Sequence, residues 1–199
     1  MACSSKPHVY WISRLDQIQL LESSLRQDII DSVEARGPCS VMELARELGI
    51  AADALYYHVR KLLAADLLVP CGTRKVERRE EALYDVPGCS MKLRHDATDP
   101  RKTKAISRVI ASMLRVTTRD HRTACATNLA LPAGRYRNLW ARRRKAWVTS
   151  EQLEELNRLA RRMDEILGDS DAGEGKRLIA HTLVVVPVPP KPPKRREKR

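Results

Sequence analysis

Ser40 to Tyr84 reads S-V-M-E-L-A-R-E-L-G-I-A-A-D-A-L-Y-Y-H-V-R-K-L-L-A-A-D-L-L-V-P-C-G-T-R-K-V-E-R-R-E-E-A-L-Y, and this stretch decides the fold. Ser40 and Glu43 stand at capping-box spacing, which satisfies two orphan amides and starts a helix. Val41, Leu44, Ala45 and Leu48 follow as one apolar stripe. Gly49 then ends that helix, because glycine enters the left-handed region without a Cβ clash. Leu55, Val59, Leu62 and Leu63 recur at helical spacing directly afterwards, so a second helix follows a tight turn. Two helices so joined form a helix-turn-helix, a motif that lays its second helix in the major groove of DNA. Leu67–Lys75 and Glu81–Val86 read as the strands of a hairpin, with a charged turn near Glu77–Arg79.

Ahead of this device, Asp16–Leu21 reads as a short helix or a turn. Ser24 and Gln27 suggest another capping box, opening a helix over Leu25–Arg36 that buries Leu25, Ile29, Ile30 and Val33. Gly37-Pro38 ends it in the usual order.

The region from about Leu20 to Val86 resembles the ArsR-like (arsenical-resistance-repressor type) winged helix-turn-helix regulators. The resemblance is carried by L-R-Q-D-I-I-D-S-V, G-P-C-S-V-M-E-L-A-R-E-L-G, A-L-Y-Y-H-V-R-K-L, A-A-D-L-L-V and the closing A-L-Y-D-V. Asp66 departs from the pattern, which has glycine there. The resemblance implies a homodimeric, sequence-specific repressor that binds double-stranded DNA in the cytoplasm, at the nucleoid. The helix around Ala52–Leu63 would read the major groove, and the wing 72–82 would reach the backbone or minor groove. The DNA-facing set is then Ser40, Asp53, Ala54, Tyr56, Tyr57, His58 and Lys61, with Arg74, Lys75, Arg78 and Arg79 on the wing. The helix is read as offering no Arg or Asn for a bidentate base contact, so specificity is expected to lean on shape and on the wing.

Regulators of this kind often sense metals through two cysteines flanking a valine before an acidic-Leu pair. Here the positions read Ser40-Val41-Met42-Glu43-Leu44, and Cys39 falls one residue off. No metal and no cofactor are therefore expected. The five cysteines (Cys3, Cys39, Cys71, Cys89, Cys125) are odd in number and lack CxxC spacing, which favours reduced thiols, with Cys39 and Cys125 as small buried hydrophobes. Catalysis is represented only by His121-Arg122-Thr123, half of a two-histidine phosphoesterase signature, so no enzyme is expected. No stretch approaches the roughly 18 apolar residues that span a membrane.

The net charge of +12 is uneven: residues 1–90 sum to −2, 91–150 to +12, 151–190 to −3 and 191–199 to +5. The reading head is thus not basic in bulk, and phosphate attraction would come largely from the middle segment and tail. That distribution leaves an alternative open, a nonspecific DNA- or RNA-binding accessory protein driven by those two basic stretches.

The organisation expected is mainly α with small β: an arm over 1–13, the winged unit over 14–88, a linker over 89–98, a second unit over 99–188 and a basic tail over 189–199. Asp99 with Pro100 opens a long helix whose apolar face is Ile106, Val109, Ile110, Met113, Leu114 and Thr117, and this face is expected to be the dimer seam. After it, Leu139–Val148 reads as a strand with Arg142-Arg143-Arg144-Lys145 between Trp140 and Trp147. Thr149 and Gln152 cap a further helix that would bury Leu153, Leu156, Leu159, Met163, Ile166 and Leu167. Arg177–Val188 reads as a last strand. This strand-helix-strand end would either cover the dimer helices or form a cavity for an unidentified small-molecule effector.

Overall fold

The computed structural model describes residues 6–77, 79–168 and 175–189. Residues 1–5, Arg78, 169–174 and the expected basic tail from 190 onward lie outside the described residues. The chain order is β1 (Tyr10–Ile12), α1 (Leu15–Leu20), α2 (Ser24–Arg36), β2 (Cys39–Ser40), α3 (Val41–Leu48), α4 (Ala52–Ala64), β3 (Val69–Val76), β4 (Arg79–Asp85), β5 (Met91–Leu93), α5 (Pro100–Ala126) and α6 (Ser150–Gly168). The mixed α and β class and the winged helix-turn-helix near the N-terminus are as the sequence implied.

The helix-turn-helix forms for the reasons visible in the residues. Ser40 Oγ accepts from the Glu43 amide at 3.3 Å while Glu43 Oε2 accepts from the Ser40 amide at 2.9 Å, closing the capping box. Gly49 takes φ 65° and ends α3. Leu44, Leu55 and Leu62 have no exposed surface, and with Ile18, Ile29, Val33 and Leu67 they make the centre of the core. Each such side chain contributes roughly 1.5–3 kcal/mol relative to exposure. The wing strands pair antiparallel with a bulge between Pro70 and Gly72, and β2 adds to the other edge of β4 through Cys39–Tyr84 and Ser40–Leu83.

The opening of α2 differs from expectation. Its N-cap is Ser23, without a side-chain cap bond, and Ser24 Oγ instead meets Ser112 Oγ of α5 at 3.2 Å.

Parts of the segments expected as arm and linker are paired with each other. Tyr10–Ile12 and Met91–Leu93 pair as parallel strands, Tyr10 opposite Met91 and Ile12 opposite Leu93. Gly88 makes their approach feasible, since a Cβ there would lie 2.7 Å from the Tyr10 Cβ. Lys6 pairs with the buried carboxylate of Asp85, whose other oxygen accepts from the Val86 amide at 2.7 Å. A three-residue ladder is too short for alternation to announce it.

Helix α5 likewise does not begin a separate core. Asp99 caps it, accepting from the Arg101 amide at 2.9 Å. Its first half then lies on α1 and α2, with Ala105, Ile106 and Val109 buried in the same cluster as Ile18 and Ile29. Gln27 Nε2 donates to Leu21 O at 2.6 Å and to Val109 O at 3.2 Å, and Arg119 grips Asp28 at 2.7 and 2.8 Å. Ile106 and Val109 therefore serve the chain's own core and leave the expected seam. Of the remainder, Leu114 is exposed, and Ile110, Met113 and Thr117 are half-buried.

Neither late strand forms among the described residues. Residues 139–148 and 177–188 run without ladder partners, because an apolar or β-branched run becomes a strand only when another strand takes up its hydrogen bonds. The later run touches α5 through Thr182 Oγ1 and Thr117 Oγ1 at 2.7 Å. Helix α6 forms with its Thr149–Gln152 box in place, yet buries nothing. Leu153, Leu156, Leu159, Met163, Ile166 and Leu167, expected inside, are all exposed in the single chain.

Candidate nucleic-acid interface

Helix α4 turns Leu55, Val59 and Leu62 inward, and its 100° step per residue then fixes what faces out. Asp53, Ala54, Tyr56, Tyr57 and Lys61 of the expected set are exposed. So is Arg60, which is absent from the expected set although it stands on the same face, three residues after Tyr57. The signal for it was available: once Val59 points inward, the next residue must point away. Arg60 forms no ion pair among the described residues, so its five-donor fork is free for phosphate or for a guanine edge.

Tyr57 and Lys61 act as a pair. The Lys61 ammonium lies 4.5 Å from the Tyr57 ring centroid, and its hydrogen bond to the phenol holds Tyr57 below the usual tyrosine range. His58 stands at the rim of this face, its ring edge-on to Tyr57 at 5.3 Å. Its Nδ1 is buried without a partner among the described residues. Desolvation lowers its pKa first, and Arg26 and Lys61 lower it further, which favours the neutral imidazole. Tyr56 leans the other way, with Met42, Ala82 and Tyr84 around a depression of about 220 Å³ between α3 and the wing.

Two members of the expected DNA-facing set have structural employment. Ser40 is buried, and its hydroxyl and amide are both consumed by the cap of α3. Arg74 reaches back from the wing to Glu43 at 2.7 Å. Burial alone would raise the Glu43 carboxyl, but the Ser40 amide and the Arg74 guanidinium offset it and hold the group below the usual range. One carboxylate thus ties the wing to the helix-turn-helix and sets the wing's angle. Lys75 and Arg79 are exposed near the wing tip, opposite Glu80 and Val76 respectively, and neither forms an ion pair among the described residues. Arg78 lies outside the described residues.

The remaining chemistry is dispersed. Among the described residues no group of three or more His, Cys, Asp or Glu could hold a metal. Cys39 is buried, and burial pushes its thiol up to about 12. Cys125, by contrast with expectation, is exposed. Cys89 is disulfide-bonded, which corrects the expectation of a reduced thiol there. His121 is exposed on α5, and the Thr123 hydroxyl donates to Arg119 O at 3.1 Å within the same helix. No helix of the described residues is long and apolar enough to cross a membrane.

Residues 21–71 match a family model described as a helix-turn-helix domain. No curated protein matches the chain. Among solved structures it is similar to Staphylococcus aureus MarR in complex with salicylate and kanamycin, at 15% identity over 71% of each chain with a TM-score of 0.26. It is also similar to RV1404 from Mycobacterium tuberculosis, at 21% identity over 75% of each chain with a TM-score of 0.26. The match over 21–71 and the geometry of α3, α4 and the wing agree: the chain carries a winged helix-turn-helix domain, which supports a DNA-binding transcription regulator.

Proposed function

We propose that the protein is a sequence-specific, dimeric repressor of the ArsR-like kind. It would insert α4 into the major groove and lay Lys75 and Arg79 of the wing on the flanking backbone or minor groove. The observation that carries this reading is the outward face of α4, where Tyr57, Arg60 and Lys61 stand clear of the core. Bidentate contact from Arg60 to a guanine would supply base discrimination worth about 1–3 kcal/mol. Two half-sites are needed for useful specificity, which is the argument for a two-fold dimer. The exposed apolar stripe of α6 supports a second copy as its cover, since stripes of that size are rarely left in water. An unidentified small-molecule effector remains part of this proposal, and so do the cytoplasmic setting and the absence of enzymatic activity.

Selection of bound duplexes from random DNA, followed by footprinting, tests the proposal. A shared motif with two-fold symmetry is the expected result. Recovery of unrelated sequences, with equal affinity for selected and scrambled duplexes, would overturn it.

A further inference from the structure

Residues 135–147 read R-Y-R-N-L-W-A-R-R-R-K-A-W, holding six cations, no carboxylate and three aromatics. The residues alone leave two readings, tryptophans that stack on nucleobases or a ligand ring and an amphipathic strand that covers a helix, of which the strand is favoured, with Trp140, Arg142, Arg144 and Ala146 on one face. The structure removes that role. The segment leaves a turn at Arg135–Tyr136 and runs without a ladder partner among the described residues, and Tyr136, Trp140 and Trp147 are 76%, 68% and 100% exposed. Exposed aromatics of that size on a charged segment call for a partner that presents flat faces and negative charge together.

The base of the segment is fixed. Asn138 closes the preceding loop by accepting from the Leu131 amide at 2.6 Å and donating to Leu129 O at 3.0 Å, while its own amide donates to Leu131 O at 3.0 Å. At the far end, Thr149 caps α6. The run between them is thus held at both ends by local structure. In the loop that Asn138 closes, the Arg137 guanidinium lies over the Trp140 ring and Arg135 over Tyr136, so cation and aromatic face are already set side by side.

We propose that 135–147 is a second nucleic-acid site, one that takes single-stranded nucleic acid by stacking unpaired bases on Trp140 and Trp147 while Arg142, Arg143, Arg144 and Lys145 follow the phosphates. A duplex would use the cations and waste the ring faces, because its bases are already stacked on each other. An anionic lipid surface would favour a broad aliphatic face, and beside its three aromatics the run holds only Leu139, Ala141 and Ala146. A second copy of the same segment would bring six cations against six and repel. The proposal concerns a different part of the chain from the α4 face and stands or falls separately from it.

The test uses the full chain at about 150 mM salt, near physiological ionic strength, with three probes: a labelled oligothymidylate of about 20 nucleotides, long enough to span one such site, a random-sequence duplex of the same length, and phosphatidylglycerol vesicles. Wild-type protein is expected to bind the single strand, and Trp140→Ala with Trp147→Ala is expected to weaken that binding roughly tenfold or more, leaving duplex binding within about twofold. In a Trp11→Phe background, the strand should quench the remaining tryptophan fluorescence, a change that charge attraction alone would not produce. Arg60→Ala should leave single-strand binding unchanged, which separates this site from the winged helix. Failure of the wild-type chain to bind the single strand, loss on strand and duplex alike in the tryptophan variant, or stronger binding to vesicles would each overturn the proposal.

Discussion

Arg14 holds Asp66 through Nη1 and Oδ2 at 2.8 Å, and Asp66 sits in the left-handed region with φ 57°. The pairing explains how an aspartate occupies the turn after α4, where the regulators that this region resembles have glycine. Asp is one of the few side chains that enters this region at modest cost. The Ala65 carbonyl beside it accepts from Gln17 Nε2 at 2.8 Å and Arg14 Nη2 at 3.0 Å, so α1 braces the turn from below. Asp66→Gly should change unfolding free energy by less than about 1 kcal/mol, since relief of backbone strain offsets loss of an exposed ion pair. Asp66→Val should cost about 1–3 kcal/mol more than Asp66→Gly, because a β-branched residue is strained there. Urea denaturation distinguishes them, and equal midpoints would mean the turn does not select by conformation.

The α4 face predicts a difference between reading and folding. Arg60→Ala and Tyr57→Ala should each lower affinity for a selected duplex roughly tenfold while leaving the melting temperature within a few degrees, since both side chains are exposed. Leu55→Ala should instead destabilise the domain by about 2–5 kcal/mol through the cavity it leaves. If Arg60→Ala weakens scrambled and selected duplexes equally, Arg60 contacts only phosphate.

The wing separates into a strut and a contact. Lys75→Gln with Arg79→Gln should flatten the slope of log affinity against log salt by about one for each phosphate that the wing no longer neutralises. Arg74→Gln should act differently, because it removes the partner of Glu43 and frees the wing angle. Its expected signature is loss of discrimination between selected and scrambled duplexes, with the salt slope changed by less than in the double variant. Fluorescence anisotropy across a salt series measures both.

Local signals decided which of these features could be read from residues alone. The Ser40–Glu43 box, Gly49, the inward Leu55–Val59–Leu62 spacing and the Asp99–Pro100 start are all set within a few residues, and each forms as expected. What failed to show was long-range. Nothing around Tyr10–Trp11–Ile12 names Met91–Leu93 as its partner, about 80 residues away. The apolar face of α5 was legible as a face, but its spacing cannot say whether α1 and α2 or a second chain covers it. The same limit misassigned 139–148 and 177–188, whose composition suits strands that have no ladder to join among the described residues. At the site, Arg60 was legible and overlooked, because the helix was read as lacking an arginine, whereas the pairing of Arg74 with Glu43 required the wing's actual path.

Asp31 gives the fold a pH dependence of defined sign. Packing against its neighbours dehydrates the carboxyl, and the like charges of Glu34, Asp28 and Asp120 add to that, pushing it up to about 7 even though the residue retains solvent access. A carboxyl raised in the folded state binds more protons there than in the unfolded chain between about pH 4 and pH 7. Its contribution to stability therefore falls as pH rises through that window and is flat above it. Asp31→Asn should raise the melting temperature at about pH 8 and change it little near pH 4. A gain independent of pH would mean that something other than ionisation is relieved.

The assembly prediction turns on which apolar face is free. Ile106 and Val109 of α5 are 3% and 4% exposed within one chain, so a charge there would strike the core that α5 shares with α1 and α2. Leu156 and Met163 of α6 are 46% and 42% exposed and lie on one stripe with Leu153 and Leu167. A dimer seam on α6 would bury these side chains, and a charge placed among them would then be desolvated without a partner. Leu156→Asp or Met163→Asp should thus yield a folded monomer that has lost cooperative duplex binding. Ile106→Asp should instead lower the melting temperature sharply. Light scattering at micromolar concentration, paired with thermal melts, decides between them. If the wild-type chain is monomeric, or if the α6 variants remain dimers, a dimer built on α6 is excluded. The exposed stripe would then need another cover.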